Sequence, residues 1–161
     1  MKLVSDELCA ALCEQIGHEK YNANLYLYMA GFLKNKGFNN ISKHFEEQHD
    51  EETGHSKIIF DLLTDLNSPV VIPEIDEVFE SFPTIIDLAN AYLIREVETT
   101  DALNKIKKLA ISDDNPVVEE RIREMLKLQQ HEYAEATDYL DKATLTGGDW
   151  KFVFLWDLGI K

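Results

Sequence analysis

The stretch Glu51-Glu52-Thr53-Gly54-His55 lies within a segment, from about Ile41 to Leu66, whose apolar residues recur every three or four positions. That spacing predicts an amphipathic α-helix. Glu52 and His55 both fall in the apolar row, so the helix would turn a carboxylate and an imidazole toward the interior. Burying these groups costs free energy unless a charged partner lies between them. The pair is therefore typical of a metal-binding site inside a helical bundle.

The spacing alone is not specific, because Glu46 and His49 repeat it on another face of the same helix. Three other segments strengthen the case, since each carries a polar residue midway along an apolar row. These residues are Glu19, Glu96 and Gln130. One such residue is usually a satisfied core group, but four at a similar depth favour a ligand set. Carboxylates with one imidazole suit iron or manganese better than copper.

Capping and stop signals divide the chain into four long helices and a short fifth one. The predicted helix-opening residues are Ser5, Asn39 or Asn40, Thr84 with Asp87, Asn115 with Pro116, and Asp149. We expect the first helix to reach about Lys36 and the fourth to reach about Thr144.

The connection from Asn67 to Phe82 contains two prolines and is predicted to be non-helical. About 16 extended residues reach roughly 50 Å, whereas a helix of about 26 residues spans roughly 40 Å. The connection can therefore cross the whole bundle, so we expect the second and third helices to be parallel. Its apolar run, residues 70–72, should pack against the bundle.

Composition narrows the possible partners. The 161 residues suggest one domain, and 30 acidic against 16 basic residues give a net charge of −14. We expect no nucleic acid partner, because this charge would repel a phosphate backbone. We also expect neither an export signal nor a membrane partner, because no apolar run approaches the length of about 18 residues that a span needs. Cys9 and Cys13 are interpreted as reduced thiols of a cytoplasmic protein.

The stretch from Trp150 to Trp156 has one lysine among two tryptophans, two phenylalanines, a valine and a leucine. A short helix of this composition is apolar nearly all round, so it must be covered. Either its own bundle or neighbouring subunits could cover it.

These residues resemble the non-haem ferritins, and the resemblance extends over essentially the whole chain. The motifs that carry it are Gln15-x-x-x-Glu19-x-Tyr21, Glu51-Glu52-x-x-His55, Glu96 and Gln130. The resemblance implies an all-α, ferritin-like four-helix bundle with a long crossover between the second and third helices. It implies a single domain over residues 1–161, with the bundle at about 5–144 and a short C-terminal fifth helix at about 149–158.

The resemblance also implies a function, which is iron storage and detoxification. Ferritins oxidise Fe(II) with O2 or H2O2 at a di-iron ferroxidase centre inside each subunit, and store the ferric mineral within a shell of 24 subunits. By this resemblance Glu52 bridges two irons, Glu19 and His55 complete one side, and Glu96 with Gln130 serves the other. Tyr26 matches the tyrosine beside the centre, so Tyr26, Glu52 and His55 are the expected catalytic residues.

The chain departs from the bacterial pattern at a third iron site, which uses four glutamates in that group. Glu51 and Glu132 match two of them, while Gln129 and Tyr133 occupy the other positions. We therefore expect a third iron to bind only weakly. No haem is expected, because Thr53 follows the bridging glutamate where haem-binding relatives have methionine.

Two alternatives come from other functional classes. One is a shell-forming storage subunit without oxidation chemistry, which the complete set of Glu19, Glu52, His55 and Glu96 disfavours. The other is a mini-ferritin of twelve subunits that protects DNA and builds its site between subunits. The absence of a basic tail and the presence of the Trp150–Trp156 segment disfavour that reading.

Overall fold

The computed structural model describes residues 3–159, which form five α-helices and, within that range, no β-strand. The helices are α1 (Asp6–Asn35), α2 (Ile41–Asp65), α3 (Ile85–Ser112), α4 (Pro116–Leu145) and α5 (Trp150–Asp157). The predicted fold class, an all-α four-helix bundle with a short C-terminal helix, is confirmed. None of the helices in residues 3–159 is both long and apolar enough to cross a membrane.

Local capping explains where most of these helices begin. Four of the predicted caps accept a hydrogen bond from the first turn of their helix, and they are Ser5, Thr84, Asn115 and Asp149. The exception is α2, since Asn40 precedes it without a capping side-chain bond. Instead, Asp157 at the end of α5 accepts hydrogen bonds from the backbone N–H groups of Asn40 and Ile41, both at 2.8 Å. The N-terminus of α2 is thus capped from the far end of the chain.

Two buried hydrophobic clusters give the helix directions. The first joins the starts of α1 and α4 to the ends of α2 and α3, through residues that include Leu8, Ile122, Leu63 and Ile106. The second joins the opposite ends, through residues that include Leu33, Ala143, Phe45 and Ile85. Helices α2 and α3 are therefore parallel, as the length of the crossover predicted, and each is antiparallel to α1 and α4.

The crossover, residues 66–84, is held against α1. The thiols of Cys9 and Cys13 donate to the carbonyl oxygen of Pro69, at 3.3 and 3.8 Å. Pro73 packs on Gly17 so closely that a Cβ at position 17 would lie 2.4 Å from Pro73 Cγ, so a side chain there would force the crossover to shift. The expected packing of residues 70–72 is only partly correct, because Val70 contacts the core while Val71 and Ile72 are exposed.

Helix α5 lies on its own bundle through one side. Val153 is buried, Trp150 stacks on Phe38 with ring centroids 5.8 Å apart, and Trp156 contacts Tyr139 at 4.8 Å. The other side of α5 is exposed and mostly apolar; beside Lys151 it presents Phe152, Phe154, Leu155 and, just after the helix, Leu158. The bundle thus covers half of this helix and leaves the other half available to a neighbour.

We predict that replacing Asp157 by alanine destabilises the fold by about 1 to 2 kcal/mol, the usual cost of losing a helix cap. The free energy of unfolding should be measured by denaturant titration followed by circular dichroism. Asp157→Asn keeps an oxygen acceptor and should retain most of the stability. Asp141→Ala, at an exposed position on α4, is the control and should cause little loss. Equal effects of the alanine changes at positions 157 and 141 would refute the capping role.

Candidate metal centre

A layer of polar side chains separates the two hydrophobic clusters at the middle of the bundle. Its members are Glu19, Glu52, Glu96, Gln129 and Glu132, and each is at most 3% exposed. They come from all four long helices and stand in rows that are otherwise largely apolar. Since helical residues three or four apart share a face, the rows that build the core also turn these groups inward.

Two groups of possible ligands overlap in this layer. The ligand atoms of Glu19, Glu52 and His55 all lie within 4.8 Å of one another, and so do those of Glu52, Glu96 and Glu132. Glu52 belongs to both groups. One carboxylate shared by two three-ligand groups could contact two neighbouring cations at once.

His55 lies between α2 and α4. Its Nδ1 is 3.3 Å from Glu52 Oε2, and its Nε2 is 3.4 Å from Glu132 Oε1. Glu132 therefore closes the layer from α4. The sequence analysis placed Glu132 with Glu51 in a separate third site, but Glu132 is buried in the main layer and Glu51 is exposed beside it.

Helix α4 contributes Gln129 to the layer, where the sequence analysis expected Gln130. Gln129 donates through Nε2 to the side chain and the backbone oxygen of Glu96, whereas Gln130 is exposed. The inward row of α4 steps through 125, 129, 132 and 136, so position 130 points roughly 100° away. Tyr133 is 46% exposed for the same reason. Gln130 is therefore corrected to Gln129 as the α4 amide in the layer.

Neutral donors hold the carboxylates from the side. The hydroxyl of Tyr26, which is fully buried, donates to Glu96. Gln15 Nε2 donates to Glu19 Oε1 at 2.9 Å. The second oxygen of Glu19 has no hydrogen-bond partner, whereas both carboxylate oxygens of Glu96 accept hydrogen bonds, one from Tyr26 and the other from Gln129.

Burial makes the charged forms of these carboxyl groups costly. It raises the pKa of Glu52 well above its ordinary value, and the neighbouring carboxyl groups of Glu19, Glu96 and Glu132 raise it further. Burial likewise raises the pKa of Glu96, against the opposing hydrogen bonds from Tyr26 and Gln129. The pKa of Glu132 rises to about 10, through burial first and the charges of Glu96 and Glu19 next.

Three oxygens of the layer are buried without a hydrogen-bond partner: Glu19 Oε2, Glu52 Oε1 and Glu132 Oε2. A buried oxygen that accepts nothing costs about 1 to 3 kcal/mol. A divalent cation would satisfy these oxygens and neutralise the repulsion between them. Because the donors are carboxylates and one imidazole, the layer fits iron or manganese.

A second polar network, which the sequence analysis missed, lies beside the layer between α1 and α3. Arg95 Nε donates to Asn22 Oδ1 at 2.6 Å, and Asn22 Nδ2 donates to Thr99 Oγ1 at 3.0 Å. His18 Nε2 lies 2.6 Å from the same hydroxyl oxygen. The residues of this network come from two helices that are far apart in sequence, so spacing along one helix could not reveal them.

Comparisons with known proteins show which family the sequence and the fold resemble. The chain is 25% identical over 155 residues to the bacterial non-heme ferritin of Staphylococcus epidermidis, covering 96% of this chain and 93% of the relative. It is 23% identical to that of Bacteroides fragilis, over 90% of this chain and 91% of the relative. The fold matches an open pore ferritin from Archaeoglobus fulgidus with a TM-score of 0.93 at 24% identity, covering 99% and 97% of the two chains. Residues 9–146 match the family described as the ferritin-like domain, and the chain therefore belongs to that family.

Proposed function

We propose that this chain stores and detoxifies iron by oxidising Fe(II) in the buried carboxylate layer. The observation that carries the proposal is the pair of overlapping ligand groups that share Glu52. The curated names of the relatives, bacterial non-heme ferritins, support iron as the metal that is handled.

In this proposal Fe(II) is the substrate and the layer holds two ions at once. Glu19 and His55 bind the first ion, Glu96 and Glu132 bind the second, and Glu52 bridges them. The bound ions replace the protons that the buried carboxyl groups carry in the iron-free protein. Hydrogen bonds from Gln15, Tyr26 and Gln129 orient carboxylates before iron arrives, so little reorganisation is needed.

Two neighbouring Fe(II) ions could give two electrons to one oxidant molecule, which would convert O2 to H2O2, or H2O2 to water, without releasing a one-electron intermediate. Tyr26 donates a hydrogen bond to Glu96 at the edge of the layer. Burial and the charge of Glu96 raise the pKa of the Tyr26 phenol well above its ordinary value, so Tyr26 keeps its proton and orients the carboxylate.

The structure bears on the alternatives. A DNA-protecting mini-ferritin assembles its site between subunits, whereas the ligand groups here come from the helices of one chain. A non-catalytic storage subunit has no need of four buried carboxyl groups, which reduce the stability of the iron-free fold. Both points favour an oxidising centre within the subunit. A cytoplasmic location remains part of the proposal.

We predict that Glu52→Ala or His55→Ala abolishes rapid Fe(II) oxidation, because each removes a ligand that no neighbour replaces. Oxidation should be followed by stopped-flow absorbance of the ferric product. Glu46→Ala is a matched control, since Glu46 and His49 have the same spacing on a different face and Glu46 pairs with Lys34. The control should oxidise iron at the wild-type rate. A wild-type rate in Glu52→Ala or His55→Ala would refute the assignment of these residues to the oxidising centre.

We also predict how the melting temperature of the iron-free protein depends on pH. A carboxyl group whose pKa is raised in the folded state stabilises the fold fully below its unfolded pKa, near 4.3, and loses that contribution as pH rises. For Glu132 this stabilising contribution continues to fall until the pH reaches the pKa of the folded state, about 10. The iron-free protein should thus melt at progressively lower temperature from about pH 5 to about pH 9.

Zn²⁺, which is not oxidised, should reverse that trend, because at higher pH fewer protons must leave before the cation binds. Glu132→Gln should flatten the pH dependence of the iron-free protein, while the exposed control Glu47→Gln should leave it unchanged. Melting curves with and without Zn²⁺ provide the measurement. A melting temperature that does not change with pH would contradict the proposal that the buried carboxyl groups are protonated in the iron-free protein.

We also propose that the chain assembles into a hollow shell of 24 subunits, and that the exposed side of α5 contributes contacts. The exposed apolar side chains Phe152, Phe154, Leu155 and Leu158 support this role, since such a patch tends to be covered by another protein surface. A chain that ends at Gly148 should form smaller or less stable assemblies in native mass spectrometry. Retention of an assembly with unchanged mass and melting temperature would show that α5 is not an assembly element.

A further inference from the structure

The two cysteines of the chain, Cys9 and Cys13, lie one turn apart on α1 and converge on a single atom of the crossover. Their thiols donate to the carbonyl oxygen of Pro69, at 3.3 Å from Cys9 and 3.8 Å from Cys13. The backbone N–H of Val71 in turn donates to Cys13 Sγ at 3.3 Å. We call the two cysteines the thiol pair. Both line a cavity of about 370 Å³ between α1 and the crossover, and Cys9 is half-buried, so an ion in the cavity can reach the sulfurs.

The spacing of the thiol pair disfavours a disulfide. Residues four apart on a helix have Cβ atoms about 5 to 6 Å apart, whereas a disulfide holds its Cβ atoms about 3.5 to 4.5 Å apart. Closing that bond would distort α1, which is an unbroken helix from Asp6 to Asn35. One bridging metal ion fits better, because two metal–sulfur bonds of about 2.3 Å each reach further than one sulfur–sulfur bond of about 2 Å.

The donor set selects the kind of ion. Thiolate sulfur prefers soft cations such as Cu⁺ and Zn²⁺ to the hard cations that carboxylates bind. A structural Zn²⁺ takes four ligands, but within residues 3–159 no histidine or carboxylate completes a three-ligand group with the thiol pair. The Pro69 oxygen, which contacts both sulfurs, offers a weak third contact. Cu⁺ is stable with as few as two thiolate ligands, so it matches this site better than Zn²⁺ does.

We propose that the thiol pair binds one soft monovalent cation, Cu⁺, as a bis-thiolate between α1 and the crossover. Two R–SH groups and one Cu⁺ give one Cu(SR)₂⁻ unit and release two H⁺ to water, and no electron is transferred. The N–H of Val71 supports this step, because a hydrogen bond to a thiolate favours its charged form. The ion takes the place of the two thiol protons beside the Pro69 oxygen, so α1 and the crossover stay joined.

The thiol pair is separate from the carboxylate layer in position and in chemistry. Cys13 precedes Glu19 by six residues, which corresponds to about 9 Å along α1. The layer offers carboxylate oxygens and one imidazole, which suit Fe²⁺, whereas the pair offers sulfur, which suits Cu⁺. The proposed copper site therefore stands whether or not the layer oxidises Fe(II).

The first experiment measures how the full chain retains Cu⁺ in competition with bathocuproine disulfonate, without oxygen and with ascorbate present. The wild type should withdraw one Cu⁺ per chain from the coloured complex, and Cys9→Ser and Cys13→Ser should each lose this retention. Glu52→Ala should retain Cu⁺ like the wild type. Undiminished retention in either serine variant, no retention in the wild type, or loss in Glu52→Ala would overturn the proposal.

A matched control tests the geometry at a constant number of thiols. The double variant Cys13→Ser, Glu7→Cys keeps two cysteines but places them two residues apart, where helical side chains do not face each other. Glu7 is exposed, so the change leaves the core intact. This variant should lose retention, and wild-type retention would show that any two thiols suffice. Circular dichroism checks that each variant is folded.

The second experiment needs no variant. X-ray absorption at the copper edge should show two sulfur ligands in the wild type loaded with one Cu⁺ per chain. The same loading should protect Cys9 from alkylation by iodoacetamide, as read by mass spectrometry. A coordination shell without sulfur, a shell of four sulfurs shared between two chains, or unprotected Cys9 would each contradict a site within one chain.

Discussion

Mutual repulsion among buried carboxyl groups is the constraint around which this bundle is built. Glu19, Glu52, Glu96 and Glu132 are almost completely inaccessible to solvent and lie within one layer. Buried charges at such short distances destabilise a fold unless protons or cations neutralise them. In the iron-free protein protons do so, as the raised pKa values of three of these groups indicate. The layer is therefore held in place by the parts of the structure on either side of it.

The two hydrophobic clusters supply that support, and they explain why the helices are long. A helix of 30 residues such as α1 extends for about 45 Å, which is enough to contribute to both clusters and to the layer between them. Most of the apolar burial lies above and below the site. The carboxyl groups can thus be tolerated at the centre, where four helices converge and water is excluded. A shorter bundle would have to place the same groups nearer its solvent-exposed ends.

The sequence predicts those parts of the site that depend on one helix, and fails where neighbouring side chains are alike. In α2 the row through Phe45, Glu52 and Ile59 has one consistent register, and its side chains are buried as predicted. In α4 two consecutive glutamines permit either register, and Tyr133 resembles a core residue. The structure decides the register, because Glu132, three residues after Gln129, is buried on the same row. The cap that Asp157 provides to α2 could not be predicted, because it joins residues more than a hundred positions apart.

Helix α5 connects these separate features. Asp157 fixes the N-terminus of α2, and the first turns of α2 carry His44 and Phe45, which pack against Tyr92 and Tyr139. The same eight-residue helix also packs Trp156 against Tyr139. A displacement of α5 would therefore uncap α2 and separate Trp156 from Tyr139 together. In the proposed shell, contacts on the exposed side of α5 would oppose that displacement, so assembly would also hold the cap of α2 in place.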